Sequence, residues 1–324
     1  MKKKIMIIHT GGTISMSEDE QTGAVSPGER NPLTTIPLVV DSHVEIESYE
    51  LFNLPSPHIT TKHMLELSMF IDHHAVENAV EGFVITHGTD TLEETAFFLD
   101  LSVQTRVPIV LTGAMRSSNE IGSDGPYNLL ASVKVAASEE ARNKGVLVVL
   151  NDEVHTAKNV TKTHTSNIAT FQSPQYGPIG IVTKRGAFFH HSPVAEDKYH
   201  VRAVTKNVML LKAYAGMDSS IFHSLKDMKI DGVVLEALGQ GNIPPTAVAG
   251  IKALRDADIP VVMVSRCFNG IVQDIYGYDG GGRKLKELGV IFSNGLNGQK
   301  ARIKLMVALE STKDTSELQL LFLK

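Results

Sequence analysis

Nucleophilic attack on a carbonyl needs a nucleophile, a base to activate it and donors for the oxyanion that develops on the carbonyl oxygen. Three segments of the sequence carry groups of that kind. Thr13 follows Gly11-Gly12 directly, where the glycines let backbone N–H groups approach a ligand closely. Its hydroxyl reads as a nucleophile or, by the ordinary habits of Ser and Thr in loops, as the cap of a turn. His87-Gly88-Thr89-Asp90-Thr91 sets a hydroxyl beside a carboxylate just ahead of Glu93-Glu94. Asp90 suits an α-ammonium group, or serves as a helix N-cap. Lys162 lies in Val160-Thr161-Lys162-Thr163-His164-Thr165, among hydroxyls and few charges. Desolvated there, its amine could act as a base. A lysine taken alone is more often a solvated surface residue.

Other signals are weaker. The 13 histidines include no His-Glu-x-x-His and no Cys/His cluster, so no metal is expected. His73-His74 and His190-His191 read as polar surface. Gly280-Gly281-Gly282 reads as a turn. No Gly-x-Gly-x-x-Gly follows the first apolar run and no P-loop is present, which speaks against a nucleotide or dinucleotide cofactor. No cofactor is expected.

The elements that must position these groups recur in one pattern. Short β-branched apolar runs end abruptly in Gly, Thr, Asn or Asp: Ile5–Ile8, Phe83–Ile85, Pro108–Leu111, Val146–Leu150, Val208–Leu211, Gly232–Leu235 and Pro260–Val264. Continuous apolar runs suit strands covered on both faces. Helical patterns lie between them at Leu92–Val103, Pro126–Ala137 and Ala247–Asp256. The alternation predicts α/β architecture with two domains. A larger N-terminal domain over 1–190 is expected to be a mostly parallel open sheet with helices on both faces, flavodoxin-like. A linker is expected over 191–207, and a smaller parallel α/β domain over 208–324. Ligands of such sheets bind beyond the carboxyl ends of the strands, so the Gly/Thr/Asp loops should share a rim. The polar stretch 15–35, with Gly23, Pro27, Gly28 and Pro32, is long for a loop and suits a lid.

Composition narrows the function classes. At roughly 150 residues per domain, 324 residues favour two domains, and 42% hydrophobic content supplies two cores. The balance of 31 basic against 36 acidic residues, a net charge of −5, argues against nucleic-acid binding driven by phosphate contacts. One cysteine, Cys267, forbids an intrachain disulfide and fits a reducing compartment. The apolar run after Met1-Lys2-Lys3-Lys4 stops at His9, too short for a leader, and no stretch approaches a membrane span. The expected location is cytoplasmic, with no membrane partner.

In combination the motifs are far more specific than singly. Thr10-Gly11-Gly12-Thr13-Ile14 after the first strand, with His87-Gly88-Thr89-Asp90-Thr91, resembles the two signature segments of the bacterial asparaginase/glutaminase family. Thr112-Gly113-Ala114-Met115-Arg116, Ser123-Asp124-Gly125-Pro126-Tyr127-Asn128-Leu129, Val160-Thr161-Lys162-Thr163 and Gly239-Gln240-Gly241-Asn242 are similar to further family segments, in the same order. The resemblance runs through Asn297-Gly298-Gln299-Lys300-Ala301-Arg302. It implies an amidohydrolase that converts L-asparagine to L-aspartate and ammonia. Thr13 would be the nucleophile, and Thr89, Asp90 and Lys162 a buried group in which Lys162 deprotonates Thr89 or a water held by it. Asp90 would also grip the substrate ammonium and Ser56 its α-carboxylate. Pro57 stands beside Ser56 where the family often has glutamine. The Ala114 carbonyl would accept from the leaving amide nitrogen. Backbone N–H groups near Thr13 and Thr89, in the Gly12 and Gly88 loops, would form the oxyanion hole. The resemblance also implies a homotetramer or homodimer in which Asn242 and the segment around Tyr276 reach a partner's site.

Two alternatives remain at this level. A glutaminase-asparaginase of broader specificity would share every one of these residues. A non-catalytic amino-acid sensor would keep the pocket without the reaction. Its support is Gly23-Ala24-Val25-Ser26, which lacks the tyrosine that the best-known members carry on the lid. The intact Thr13, Thr89, Asp90 and Lys162 set counts against it, because a binder has no use for a nucleophile and a base.

Overall fold

The computed structural model describes residues 2–19, 21–27, 31–35, 42–194 and 197–323. The chain divides into two compact units, Met1–His200 and Val201–Lys324.

In the first unit the apolar runs become parallel strands. β1 (Lys3–His9) lies between β4 (Val44–Glu50) and β5 (Gly82–Thr86), followed outward by β6 (Ile109–Thr112) and β7 (Val146–Leu150). The spatial order β4-β1-β5-β6-β7 is that of flavodoxin, with β1 at the point where the winding reverses. Beyond β7 the sheet continues antiparallel through β8 (Glu153–Thr156), β11 (Gly180–Thr183) and β12 (Gly186–Phe189), making eight strands. Successive residues of β1 serve opposite faces. Met6 and Ile8 pack with Phe83, Ile85 and Leu111 beneath α1 (Thr61–Glu77) and α2 (Leu92–Ser102). Ile5 and Ile7 pack with Val84, Val110 and Leu147 beneath α3 (Gly125–Ala136). Both faces are dry, which is why these strands read as unbroken apolar runs.

Two small sheets stand outside this frame. β9 (Thr161–Lys162) pairs antiparallel with β10 (Phe171–Gln172), and Phe171 anchors the pair in the core beneath α2. The stretch expected to be one long loop contains a hairpin instead, β2 (Met16–Glu18) against β3 (Val25–Pro27). Asn119 holds it by accepting from the Glu18 N–H at 2.8 Å and donating to the Glu18 carbonyl at 2.8 Å. Of that stretch, Glu20 and residues 28–30 lie outside the described residues. β12 closes the large sheet at Phe189.

The second unit is a four-stranded parallel sheet, β13 (Val208–Lys212), β14 (Gly232–Ala237), β15 (Val261–Ser265) and β16 (Ile291–Phe292), in that order. α4 (Ser220–Asp227), α5 (Val248–Arg255) and α6 (Gly282–Glu287) close one core with Val233, Leu235 and Met263. α7 (Gly298–Ala308) packs along β13, β14 and β15, and α8 (Thr315–Leu323) packs on β16.

Leu99 is wholly buried in the core that joins α2 to β6 and β7. Leu99→Ala should destabilise the first unit by about 2–5 kcal/mol. Denaturant titration should show a lower midpoint with an unchanged m-value.

Candidate active site

The parallel register sets His9 level with Thr86, and Thr86 level with Thr112, so three loops leave the sheet along one line. The loops after β1 and β5 then meet backbone to backbone. Gly12 has φ 86°, in the left-handed region, and a Cβ on it would lie 2.2 Å from the Gly88 Cα. A Cβ on Gly88 would in turn lie 2.7 Å from the Ser56 Cβ. Ser56 is buried on the 3-10 turn Ser56–His58, on which Pro57 is exposed. Thr13, half-buried, opens the 3-10 turn Thr13–Ser15, which Ser15 closes: its N–H and its hydroxyl each donate to the Gly12 carbonyl at 2.9 Å.

The β9–β10 pair brings in the amine. Lys162 Nζ donates to Thr89 Oγ1 at 2.9 Å and to Asp90 Oδ1 at 2.7 Å. The Lys162 side chain is 16% exposed and that of Asp90 60%, so the carboxylate has a covered side toward lysine and a side open to solvent. Thr91, not Asp90, is the N-cap residue of α2. The Asp90 carboxylate serves the lysine, while the Asp90 N–H donates to Ser56 Oγ at 3.2 Å. Thr91 Oγ1 donates to the Ser56 carbonyl at 2.8 Å, which ties the Ser56 turn to the start of α2. The Ser56 Oγ, having accepted one bond, keeps its proton to offer.

Ala114 is buried in the loop after β6. Asn128 Nδ2 donates to the Gly113 carbonyl at 3.0 Å, and the Asp124 carboxylate accepts from the Met115 and Arg116 N–H groups at 3.1 and 3.0 Å. Close packing of Ile14 and Ala114 over Gly125 joins this loop to the one after β1. Gly12, Ser56, Gly88, Thr89, Asp90 and Lys162 are thus linked by direct contacts. Asn242 belongs to the second unit, where its Oδ1 accepts from the Gly282 N–H at 3.3 Å. Among the described residues no group of His, Cys, Asp and Glu side chains could hold a metal ion, and no helix is long and apolar enough to cross a membrane.

Three side chains not singled out from the sequence also serve the site. Glu93, 5% exposed in the first turn of α2, accepts through Oε1 from Thr161 Oγ1 at 3.0 Å and from the Lys162 N–H at 3.3 Å. His87 is buried with Nδ1 2.8 Å from the Gly88 carbonyl and Nε2 2.9 Å from Thr95 Oγ1. A carbonyl only accepts, so Nδ1 carries the proton and the threonine hydroxyl donates to Nε2. Burial holds His87 in this neutral form and lowers its pKa to about 4, against a smaller opposite pull from the Gly88 carbonyl. His9, whose Nδ1 lies 3.0 Å from Thr86 Oγ1, is lowered by burial to about 4 as well. The signal for both was a histidine placed where an apolar run meets Gly and Thr, a position that buries the ring against loop backbone.

Comparison with known proteins follows this geometry. An N-terminal asparaginase domain model matches residues 4–195, and a glutaminase/asparaginase C-terminal domain model matches residues 207–322. A probable L-asparaginase of Deinococcus radiodurans is 38% identical over 323 residues, covering 98% of this chain and 97% of that protein. An L-asparaginase of Bacillus licheniformis is 33% identical over 318 residues, covering 97% of this chain and 98% of its own. The crystal structure of a probable cytoplasmic L-asparaginase from Campylobacter jejuni superposes with a TM-score of 0.88 at 32% identity, covering all of both chains.

The two neutral histidines make stability depend on pH. Unfolded, each binds a proton near its ordinary pKa of about 6.5; folded, each refuses it down to about 4. Stability is therefore full above pH 6.5 and falls as the pH drops toward 4, by up to about 3 kcal/mol per histidine. Denaturation measured across that window should show a clearly shallower pH slope in His87→Gln than in the parent. An unchanged slope would mean that the folded protein protonates His87 freely.

Proposed function

The chain belongs to the asparaginase family, and on that premise we propose that it hydrolyses L-asparagine to L-aspartate and ammonia. The observation that carries this reading is Lys162 Nζ in contact with both Thr89 Oγ1 and Asp90 Oδ1, at 2.9 and 2.7 Å. Once it has given up its own proton, an amine in direct contact with a hydroxyl can take the proton of that hydroxyl. The carboxylate that shares the amine faces outward, where a second cation can sit.

In this mechanism the α-ammonium group of asparagine docks on Asp90 and its α-carboxylate accepts a hydrogen bond from the Ser56 hydroxyl. The ammonium then shares Asp90 with Lys162, so the carboxylate holds the lysine less tightly. Lys162 takes the proton from Thr89, or from a water that Thr89 holds. Thr13, on the loop after β1, attacks the side-chain amide carbon, and its hydroxyl proton goes to the nitrogen that leaves as ammonia. A water then cleaves the ester left on Thr13, one of its protons restoring the Thr13 hydroxyl and its oxygen completing L-aspartate. The oxyanion forms against backbone N–H groups of the Gly12 and Gly88 loops, where one donor is worth about 10²–10³ in rate. The Ala114 carbonyl accepts from the departing nitrogen. One amide and one water give one carboxylate and one ammonia, and no cofactor enters the balance.

Three further parts belong to this proposal. The assembly is a homotetramer or homodimer, as the family resemblance implies; light scattering behind size exclusion tests it. The location is cytoplasmic, supported by a single, unpaired and exposed cysteine. Residues 191–207 serve as the linker between the domains.

Purified protein should release ammonia from L-asparagine at a clearly higher kcat/KM than from L-glutamine. Thr89→Val and Lys162→Met should each lower kcat by about 10²–10⁴, and Thr13→Ala should cost at least as much. Comparable rates on both amides would make it a glutaminase-asparaginase. Aspartate binding with no ammonia from either amide would make it a sensor.

A further inference from the structure

Lys162 sits on a two-residue strand that, among the described residues, pairs only with a two-residue strand. Neither belongs to the eight-stranded sheet that sets Thr89 and Asp90 in place. The separation of a base from its hydroxyl must nevertheless hold to within about 0.5 Å, and a misplacement of about 1 Å can cost about 10² in rate. Pairing with β10 fixes how the strand runs, and Phe171 fixes its depth. Neither fixes how far Lys162 stands from the start of α2.

Glu93 supplies that distance. It lies three residues after Asp90 on the first turn of α2, and its Oε1 accepts at once from the Thr161 hydroxyl and from the Lys162 backbone N–H. The same carboxylate thus ties the helix that follows Thr89 and Asp90 to the peptide unit of Lys162 itself. The helix N-terminus favours a negative charge there, and 5% exposure leaves the side chain little room to swing. We propose that Glu93 is a positioning residue for the amide hydrolysis, holding the Lys162 backbone at the spacing that lets Nζ reach Thr89 and Asp90 together. The inference rests on the reading of Lys162 as the base.

The shape of the Glu93 side chain and its acceptor oxygen do this, not chemistry on the substrate. Substrate binding should therefore be spared, because Asp90 and Ser56 are held by each other through the Asp90 N–H. Glu93→Gln keeps an acceptor oxygen at the same reach. Glu93→Ala leaves the Thr161 hydroxyl and the Lys162 N–H without this shared acceptor.

The test is ammonia release from L-asparagine by the parent, Glu93→Ala, Glu93→Gln and Thr161→Val, with kcat and KM determined separately and thermal unfolding followed for each. Glu93→Ala should lose about 10² in kcat while KM changes by less than about threefold. Glu93→Gln should recover most of that loss, and Thr161→Val should lower kcat less than Glu93→Ala does, again with KM held. A folded Glu93→Ala with the parent's kcat would overturn the proposal, and so would a Gln variant as slow as the Ala variant. Should Glu93→Ala not fold, Gln and Thr161→Val decide: a slow Gln variant, or a Thr161→Val variant altered in KM alone, overturns it. Absence of ammonia release by the parent would instead overturn the asparaginase reading on which the proposal rests.

Discussion

One lysine side chain crosses from a two-stranded ribbon to the rim of a parallel sheet and is shared between a hydroxyl and a carboxylate, at 2.9 and 2.7 Å. Much of the first unit can be understood as what that contact requires. The sheet must end with β1, β5 and β6 in step, so that their loops open on one side. The loop after β5 must turn at once, because Thr89 and Asp90 come only three and four residues past Thr86, the end of the strand. The ribbon must then return the chain from β8 to that rim, some seventy residues further along, which is the task of the stretch from Ala157 to Phe171.

Charge is treated unequally across this arrangement. His9 and His87 are kept neutral by burial, His9 as the last residue of β1 and His87 as the first residue after β5, just ahead of the loops that meet at Gly12 and Gly88. Neutral rings can be packed against the loop backbone without the cost of desolvating an ion. Around the amine stand the carboxylates of Asp90 and Glu93, arranged so that Lys162 lies with its amine on Asp90 and its backbone on Glu93. An amino acid presents one charge of each sign at its α-carbon, and Asp90 beside the Ser56 hydroxyl offers a complement to both.

The parallel core was legible because its strands are buried on both faces. Ile5–Ile8 and Val146–Leu150 have no polar position to confuse the pattern, and each ends where its burial ends. α1 was not legible. Its buried residues, Met64, Leu67, Ser68 and Ile71, occupy one narrow stripe, and Asp72, His73 and His74 follow immediately. β4 was hidden for a similar reason: Val44–Glu50 is an edge strand with charged residues at three of its positions. The ribbon of β9 and β10 is two residues a side, too short for any periodicity. Thr13, Thr89, Asp90 and Lys162 could be nominated from their company of Gly and Thr. Glu93 could not, since a glutamate early in a helix already has a sufficient explanation in the helix dipole. The hairpin of β2 and β3 was hidden by its polarity, for it is held at its edge by Asn119 and Ser118 and not by a core of its own.

The stack of Gly12, Gly88 and Ser56 limits how this pocket could be altered in the laboratory or over generations. Most binding sites are retuned by exchanging one side chain for another of different length. Here the contact between loops is made by main-chain atoms, with 2.2 Å from a would-be Cβ at Gly12 to the Gly88 Cα. No rotamer can relieve such an overlap between Gly12 and Gly88. Variation is then left to exposed neighbours such as Pro57, or to wholesale replacement of a loop.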